Sequence, residues 1–388
     1  MHFVNELSLY KKVDRQWEDK FAKEGAKAGD TIRLREPVNF NIREGQDFDE
    51  QALQDRVIEF SVDQQIGVDF AYSSAEKTLS LDRVSERYLQ PAARRIANEI
   101  DSRIARVMAQ ECTLYSGTPG TAPTSVSTFQ TAATRLLQVG VPKGKRHAVV
   151  TPAVMQAVVT DLRGLIEPGG TIAKQNKDGF MYDAFGMKWD IDQNLYTHTT
   201  GALTGAGLVK GAGQSGASII TDDWTSGQPV AKKGDKLQFP GAYAVNPITG
   251  ATLDHLRIFT VTADISATGT EATIPIAPAI VLTGPYKNVS AAPDDDGAIQ
   301  GYGHISSYVN KVSPSCLVFH PSACAVAIVG LDRPEGGANS SYMSDEDAGV
   351  SMRVVKQYDI DKDKNKIRFD VLFGIKVQLR DFCCVVPA

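Results

Sequence analysis

Leu81-Asp82-Arg83-Val84-Ser85-Glu86-Arg87-Tyr88-Leu89-Gln90-Pro91-Ala92-Ala93-Arg94-Arg95-Ile96-Ala97-Asn98-Glu99-Ile100-Asp101 places apolar residues at Val84, Tyr88, Ala92, Ile96 and Ile100, and the spacing continues through Ile104, Val107 and Met108. Recurrence every three to four residues predicts one long amphipathic helix, with Asp82 as its N-cap and a length of roughly 40 Å at the ordinary rise per residue. Pro91 falls inside it and is expected to kink it. Arg83, Arg87, Arg94, Arg95, Arg103 and Arg106 fill much of the remaining surface. With Glu86, Glu99 and Asp101 interspersed, that surface reads as a solvated, salt-bridged face in preference to a grip on nucleic acid.

Upstream, Thr31-Ile32-Arg33-Leu34-Arg35-Glu36-Pro37-Val38 alternates apolar and polar residues, the pattern of a strand with one wet face. A second, longer strand run is expected from Asp55 to Tyr72, through Val57, Ile58, Phe60, Val62, Ile66, Val68 and Phe70. The intervening residues 39–54 are polar and acidic, with Glu44, Asp47, Asp49 and Glu50, and are too many for a tight turn. Together these predict a long two-stranded arm. An isolated hairpin is marginal in water, so the arm either packs on another molecule or folds back on its own domain. Ahead of it, Leu7, Tyr10, Val13, Trp17 and Phe21 predict an amphipathic helix within residues 1–28.

Downstream the pattern turns mixed: a helix near Thr128–Val139, a buried strand at His147–Val150 and a helix from about Pro152 to Leu162. From Ala202 to Ser290 glycine, threonine, serine and β-formers dominate, as in Leu256-Arg257-Ile258-Phe259-Thr260-Val261, which predicts a small antiparallel barrel or sandwich. The acidic Ala291-Ala292-Pro293-Asp294-Asp295-Asp296-Gly297 reads as a surface turn or linker. A core pattern then resumes with Cys316-Leu317-Val318-Phe319, a short helix is expected at Pro321–Val329, and residues 351–386 predict two or three strands. The β-rich stretch therefore looks inserted into a host domain built from both flanks.

With 388 residues the chain is long enough for two or three structural units. A net charge of -5 excludes a protein that grips nucleic acid through a global basic field. The five cysteines are scattered, and adjacent Cys383 and Cys384 project to opposite faces of a strand, so they read as reduced thiols made in a cytosol. Neither a signal peptide nor a membrane-spanning apolar run is recognisable.

Local patterns that resemble active sites each have a plainer reading. Asp359-Ile360-Asp361-Lys362-Asp363 alternates carboxylates like a calcium loop, but Lys364 stands where that loop needs glycine and Asp370 where it needs glutamate, so a hairpin turn is favoured. Gly205, Gly207, Gly211 and Gly213 lack the Gly-Lys-Ser/Thr of a phosphate cradle and read as a flexible connection. Cys316, His320 and Cys324 are evenly spaced, yet Leu317-Val318-Phe319 reads as strand and Pro321 interrupts it, which argues against a metal. No Gly-x-Ser-x-Gly elbow is present. No catalytic residue, cofactor or metal is expected.

The order of these elements resembles the major capsid proteins of tailed phages with the Hong Kong 97-type fold, and more narrowly the P-twenty-two-type coat proteins of short-tailed phages, which have an inserted β-barrel. The resemblance is strongest from Thr31 to Gln110 and at Lys232-Lys233-Gly234-Asp235-Lys236-Leu237-Gln238-Phe239-Pro240-Gly241, which is similar to the start of the family's insertion. One departure is the shortness of the segment before the extended loop. The resemblance implies an α+β chain with an N-terminal arm (1–29), an extended two-stranded loop (30–75), a spine helix with peripheral domain (76–125), an axial domain (126–210 and 301–350) interrupted by an antiparallel β-barrel (211–300), and C-terminal peripheral strands (351–388). It implies self-assembly as hexamers and pentamers into an icosahedral shell around double-stranded DNA, built in the host bacterial cytoplasm. Implied partners are a scaffolding protein, a portal protein, the DNA without sequence preference and a decoration protein, with no membrane. The candidate assembly contacts are Arg33, Arg35, Arg43, Glu44, Asp47, Asp49, Glu50, Arg94 and Arg95. Two rival readings are an encapsulin-type cellular shell and a β-rich carbohydrate-active or surface-binding protein using Asp222, Asp223 and Asp254.

Overall fold

The computed structural model describes residues 8–15, 31–35, 56–73, 88–161, 183–301, 309–331, 339–345 and 350–388, together with a few isolated positions. The chain divides into two compact units. One comprises residues 1–35, 57–104 and 324–378, and the other residues 36–56, 105–323 and 379–388. Both helices and strands contribute, so the fold is α+β.

In the first unit the organising element is Lys364–Val377, a 14-residue strand long enough to serve several partners. Leu372 pairs with both Gln65 and Val329, and Asp370 with both Gly67 and Arg353. Since a strand has two edges, Gln64–Ser73 must run along one of them, while Val350–Asp359 and Cys324–Val329 follow each other along the other. Asn339–Asp345 completes this antiparallel sheet beside Val350–Asp359. One face carries Phe70, Phe369 and Phe373; Tyr88 stacks on Phe70 at 6.0 Å and the Arg103 guanidinium lies 5.8 Å from the Phe373 ring, so the first part of the long helix covers that face. At the far end of the other face, Leu34, Phe60 and Val62 bury against Ala325, Ala327 and Leu372.

The helix is observed as α1, Gln90–Glu111, 22 residues and so about 33 Å long. Pro91 sits in its first turn, where a missing N–H costs nothing, and Asp82 lies outside the described residues. The arm also differs from expectation. Thr31–Arg35 does pair with Val57–Ser61, antiparallel from Thr31↔Ser61 to Arg35↔Val57, but the expected second run breaks at Val62 and Asp63. Its second half, Gln64–Ser73, pairs with Lys364–Val377 instead. The sequence pattern is continuous across that break because both halves are strands, and alternation does not name a partner. Of the expected N-terminal helix, the described part is a 3-10 turn at Tyr10–Lys12; the rest lies outside the described residues. The helix expected at Pro321–Val329 is a 3-10 turn, Pro321–Ala323, followed by a buried strand, Cys324–Val329, a short apolar run of the kind periodicity cannot assign.

The second unit combines a mixed sheet with a barrel. The sheet order is Leu114–Tyr115, Cys383–Pro387, Val312–Phe319, His147–Val150, Met187–Ile191, Asp183–Ala184. Helices α2 (Ser127–Gln138) and α3 (Pro152–Asp161) accompany it, close to their expected bounds. The barrel path runs Gly205–Val209, Gly216–Trp224, Ala272–Ile280, Thr252–Val261, Lys236–Val245, Gln300–Gly301. Leu208 bridges Ala298, and Ile299 donates to the Gly207 carbonyl at 2.9 Å, so the segment that pairs with Lys236–Val245 also reaches the first strand and closes the cycle. The glycines from Gly205 are therefore not a flexible connection: they include a barrel strand, and a Cβ on Gly207 would strike the Trp224 indole.

Candidate assembly surfaces

The ladder Thr31–Arg35/Val57–Ser61 has two unlike faces because strand side chains alternate. Ile32, Leu34, Ile58 and Phe60 point into the apolar cluster, whereas Arg33 and Arg35 are exposed. Arg33 stands opposite Glu59 and Arg35 opposite Val57, both also exposed, giving an outward row of charge with one apolar member. Arg94 and Arg95 are exposed on α1, and Glu50 is exposed in the loop. Arg43, Glu44, Asp47 and Asp49 lie outside the described residues. Phe40, 64% exposed in that acidic loop, was not singled out from sequence, although an aromatic among acidic residues is a legible signal of a partner contact.

Beneath these surfaces, buried charged residues hold each unit in shape. Asp101, expected on the solvated face of the helix, is fully buried. Its carboxylate accepts from the backbone N–H of Ser8 at 2.6 Å, Leu9 at 3.3 Å and Tyr10 at 3.1 Å, tying the N-terminal segment to α1. A carboxylate that accepts three amides can be buried because each desolvated oxygen is satisfied. The signal was available: Ala97, Asp101, Ile104 and Met108 share one helical stripe. The Glu99–Arg103 pair, by contrast, forms as expected at 3.0 Å on the surface.

In the sheet of the first unit Asp370, 1% exposed, receives Arg353 at 2.7 Å and Arg368 at 2.8 and 2.9 Å. Burial by itself would push its carboxyl up, but the two guanidinium hydrogen bonds outweigh that and hold it below the usual range. The opposing residue is Gly67; a Cβ there would meet the Phe369 carbonyl oxygen and lie 2.9 Å from the Asp370 carboxylate.

In the second unit the motif Lys232–Gly241 forms a joint between barrel and helix. Lys236 is wholly buried, and its ammonium donates to the carbonyls of Ala109 at 3.2 Å and Cys112 and to Thr260 Oγ1 at 3.1 Å. These carbonyls end α1, so a cation neutralises the negative end of the helix dipole. Burial pushes Lys236 down to about 8. The neighbouring Asp235 carboxylate accepts from His198 Nε2 at 2.7 Å and from the N–H groups of Gly201 at 3.0 Å and Lys232 at 2.8 Å.

The patterns set aside from sequence take other roles. Residues 360–363 form the turn of a hairpin closed at Asp359↔Lys364. Cys316 and Cys324 lie in strands of different sheets, and the described residues include no group of three or more His, Cys, Asp or Glu that could hold a metal ion. Asp222 and Asp254 stand on barrel strands separated by Ala272–Ile280, and Asp254 pairs with His255 at 3.2 Å.

The family model described as P22 coat protein, gene protein 5, matches residues 2–381. The major capsid protein of Acyrthosiphon pisum secondary endosymbiont phage 1 is 21% identical over 393 residues, spanning 95% of this chain and 91% of that protein. Among solved structures, Mycobacterium phage Che8 matches 97% of this chain and 90% of its own at 13% identity and a TM-score of 0.48. The capsid of Ralstonia phage GP4 matches 98% and 88% at 10% identity, also with a TM-score of 0.48.

Proposed function

As a member of the P22 coat protein family the chain is a major capsid protein of a tailed phage, and we propose that it assembles as hexamers and pentamers into a closed icosahedral shell around double-stranded DNA. The family match across residues 2–381 carries this reading and favours it over an encapsulin-type shell. The proposal divides the chain into arm, extended loop, spine helix, peripheral and axial parts and inserted barrel; the closed strand cycle from Gly205 to Gly301 supports the last of these.

The contacts proposed are the outward row of Arg33 and Arg35, the acidic loop with Arg43, Glu44, Asp47, Asp49 and Glu50, and the exposed Arg94 and Arg95. Rim charges of this kind set register and salt dependence, and each contact can be weak because closure makes many at once. No catalytic step is proposed. The partners proposed are a scaffolding protein, a portal protein, a decoration protein and the DNA backbone, with assembly in the host cytoplasm. Negative-stain microscopy and sedimentation of the chain, expressed with and without its neighbouring phage genes, test the reading. Closed shells or hexamer and pentamer rings are expected; a monomer that persists with scaffold present overturns it.

A further inference from the structure

Between Glu111 and Asp161 the chain has no Asp or Glu, although acidic residues outnumber basic ones overall. The cations of this stretch are Arg135, Lys143, Lys145 and Arg146. Arg135 donates to the Tyr115 carbonyl and lies over its ring at 5.1 Å. The other three belong to the loop between α2 and the strand His147–Val150. Lys143 and Lys145 are exposed and form no ion pair among the described residues. A Cβ on Gly144, between them, would meet nothing within 4 Å, so the turn stands clear of its surroundings. Lys188, in the neighbouring strand Met187–Ile191, is exposed too, but Asp183 stands opposite it in the ladder and that pair adds no net charge.

Arg146 is 8% exposed, and its Nε and Nη1 are buried without a hydrogen-bond partner. Among the described residues no carboxylate pairs with it. Its Nη2 lies at the Phe185–Gly186 turn, where a Cβ on Gly186 would come within 2.9 Å of it. A guanidinium is among the most costly groups to bury without an anion, so this charge calls for one. Burial pushes the nearby His320 below its usual range, and the charges of Lys145 and Arg146 push it the same way, which places both cations in one neighbourhood.

We propose that this loop binds phosphates of the DNA backbone, with Arg146 taking the oxygens of one phosphate and Lys143 and Lys145 the charge of its neighbours. The inference rests on the coat-protein reading, which supplies a polyanion for the chain to enclose, and it names where on the subunit that contact is made. A guanidinium presents the fork that fits a phosphate, and phosphate contacts need no group that reads bases, in keeping with DNA held without sequence preference. A net charge of -5 is no obstacle, because the attraction is local to a stretch free of carboxylates.

The unassembled full chain is titrated with a fluorescent DNA duplex. Lys143→Gln combined with Lys145→Gln should weaken binding at least about tenfold near 0.1 M salt and lower the slope of log affinity against log salt by about 2. Arg146→Met should raise the thermal melt of the free chain, since an uncompensated charge is removed, and shrink the further rise that added duplex gives the wild type. Duplex affinity unchanged by the lysine substitutions, or a duplex-induced rise that persists in full in Arg146→Met, overturns the site. Poly-glutamate and inorganic phosphate are the comparison probes. Poly-glutamate bound as tightly as duplex, with the same loss in the variants, would assign the loop to an acidic protein segment and overturn the DNA contact. A melt shift with phosphate but no duplex binding would make it a small-anion site and overturn it likewise. In DNA-filled particles, formaldehyde should cross-link DNA to the peptide that contains Lys143 and Lys145. Filled particles without that cross-link overturn the site alone, whereas chains that never close into shells overturn the coat-protein reading and this site with it.

Discussion

At the scale of single residues, the buried charges make the sharpest statements. Lys236 has a folded pKa near 8, below its unfolded value, so between about pH 8 and its ordinary range the unfolded chain binds more protons and stability rises with pH. Lys236→Met should remove that rise and take the ammonium donor from the Ala109 carbonyl, while Thr260 Oγ1 still serves that of Cys112 at 2.9 Å, at a cost of about 1–3 kcal/mol, read by denaturant unfolding of the unassembled chain at neutral and alkaline pH. Asp370 has the opposite dependence: its folded pKa is depressed, so its contribution is present above the ordinary carboxylate range and is lost as pH falls through the depressed value. Asp370→Asn should weaken the chain at neutral pH and flatten its acid unfolding profile. Gly67→Ala forces a methyl against a backbone carbonyl that cannot move away independently, so a loss of roughly 1–3 kcal/mol is expected in the same unfolding measurement.

At the scale of elements, the ladder is held by its inner face. Phe60 is completely buried in the cluster with Leu34, Ala325 and Leu372, and Phe60→Ala should cost about 3–5 kcal/mol and increase amide exchange across Thr31–Arg35, while the sheet of Gln64–Ser73 stays protected. Helices α1, α2 and α3 and the strand His147–Val150 were legible because each has its own periodicity or apolar run. The break at Val62 and Asp63 was not, since both halves alternate alike and only the pairing with Lys364–Val377 separates them. Cys324–Val329 was misread for the reason that six apolar residues satisfy either template. Asp101 was misread because a charged residue inside an apolar stripe becomes buried only when something, here three backbone amides, satisfies it.

At the scale of the whole molecule, the exposed charges at Arg33, Arg35, Arg94 and Arg95 predict assembly that weakens with ionic strength. Arg33→Glu with Arg35→Glu should slow shell formation and reduce its salt dependence, measured by light scattering, without changing the melt of the free chain. By itself the sequence determined the α+β class, the order of arm, helix and β-rich insertion, and the family resemblance, because periodicity, turn chemistry and composition are local properties. Tertiary structure decided which strand the second arm segment pairs with, how residues 297–301 close the barrel, and why Asp101, Lys236 and Asp370 are inside. Those outcomes depend on residues far apart in the chain: a strand does not encode its partner, and a charge is buried only where distant groups complete its hydrogen bonds.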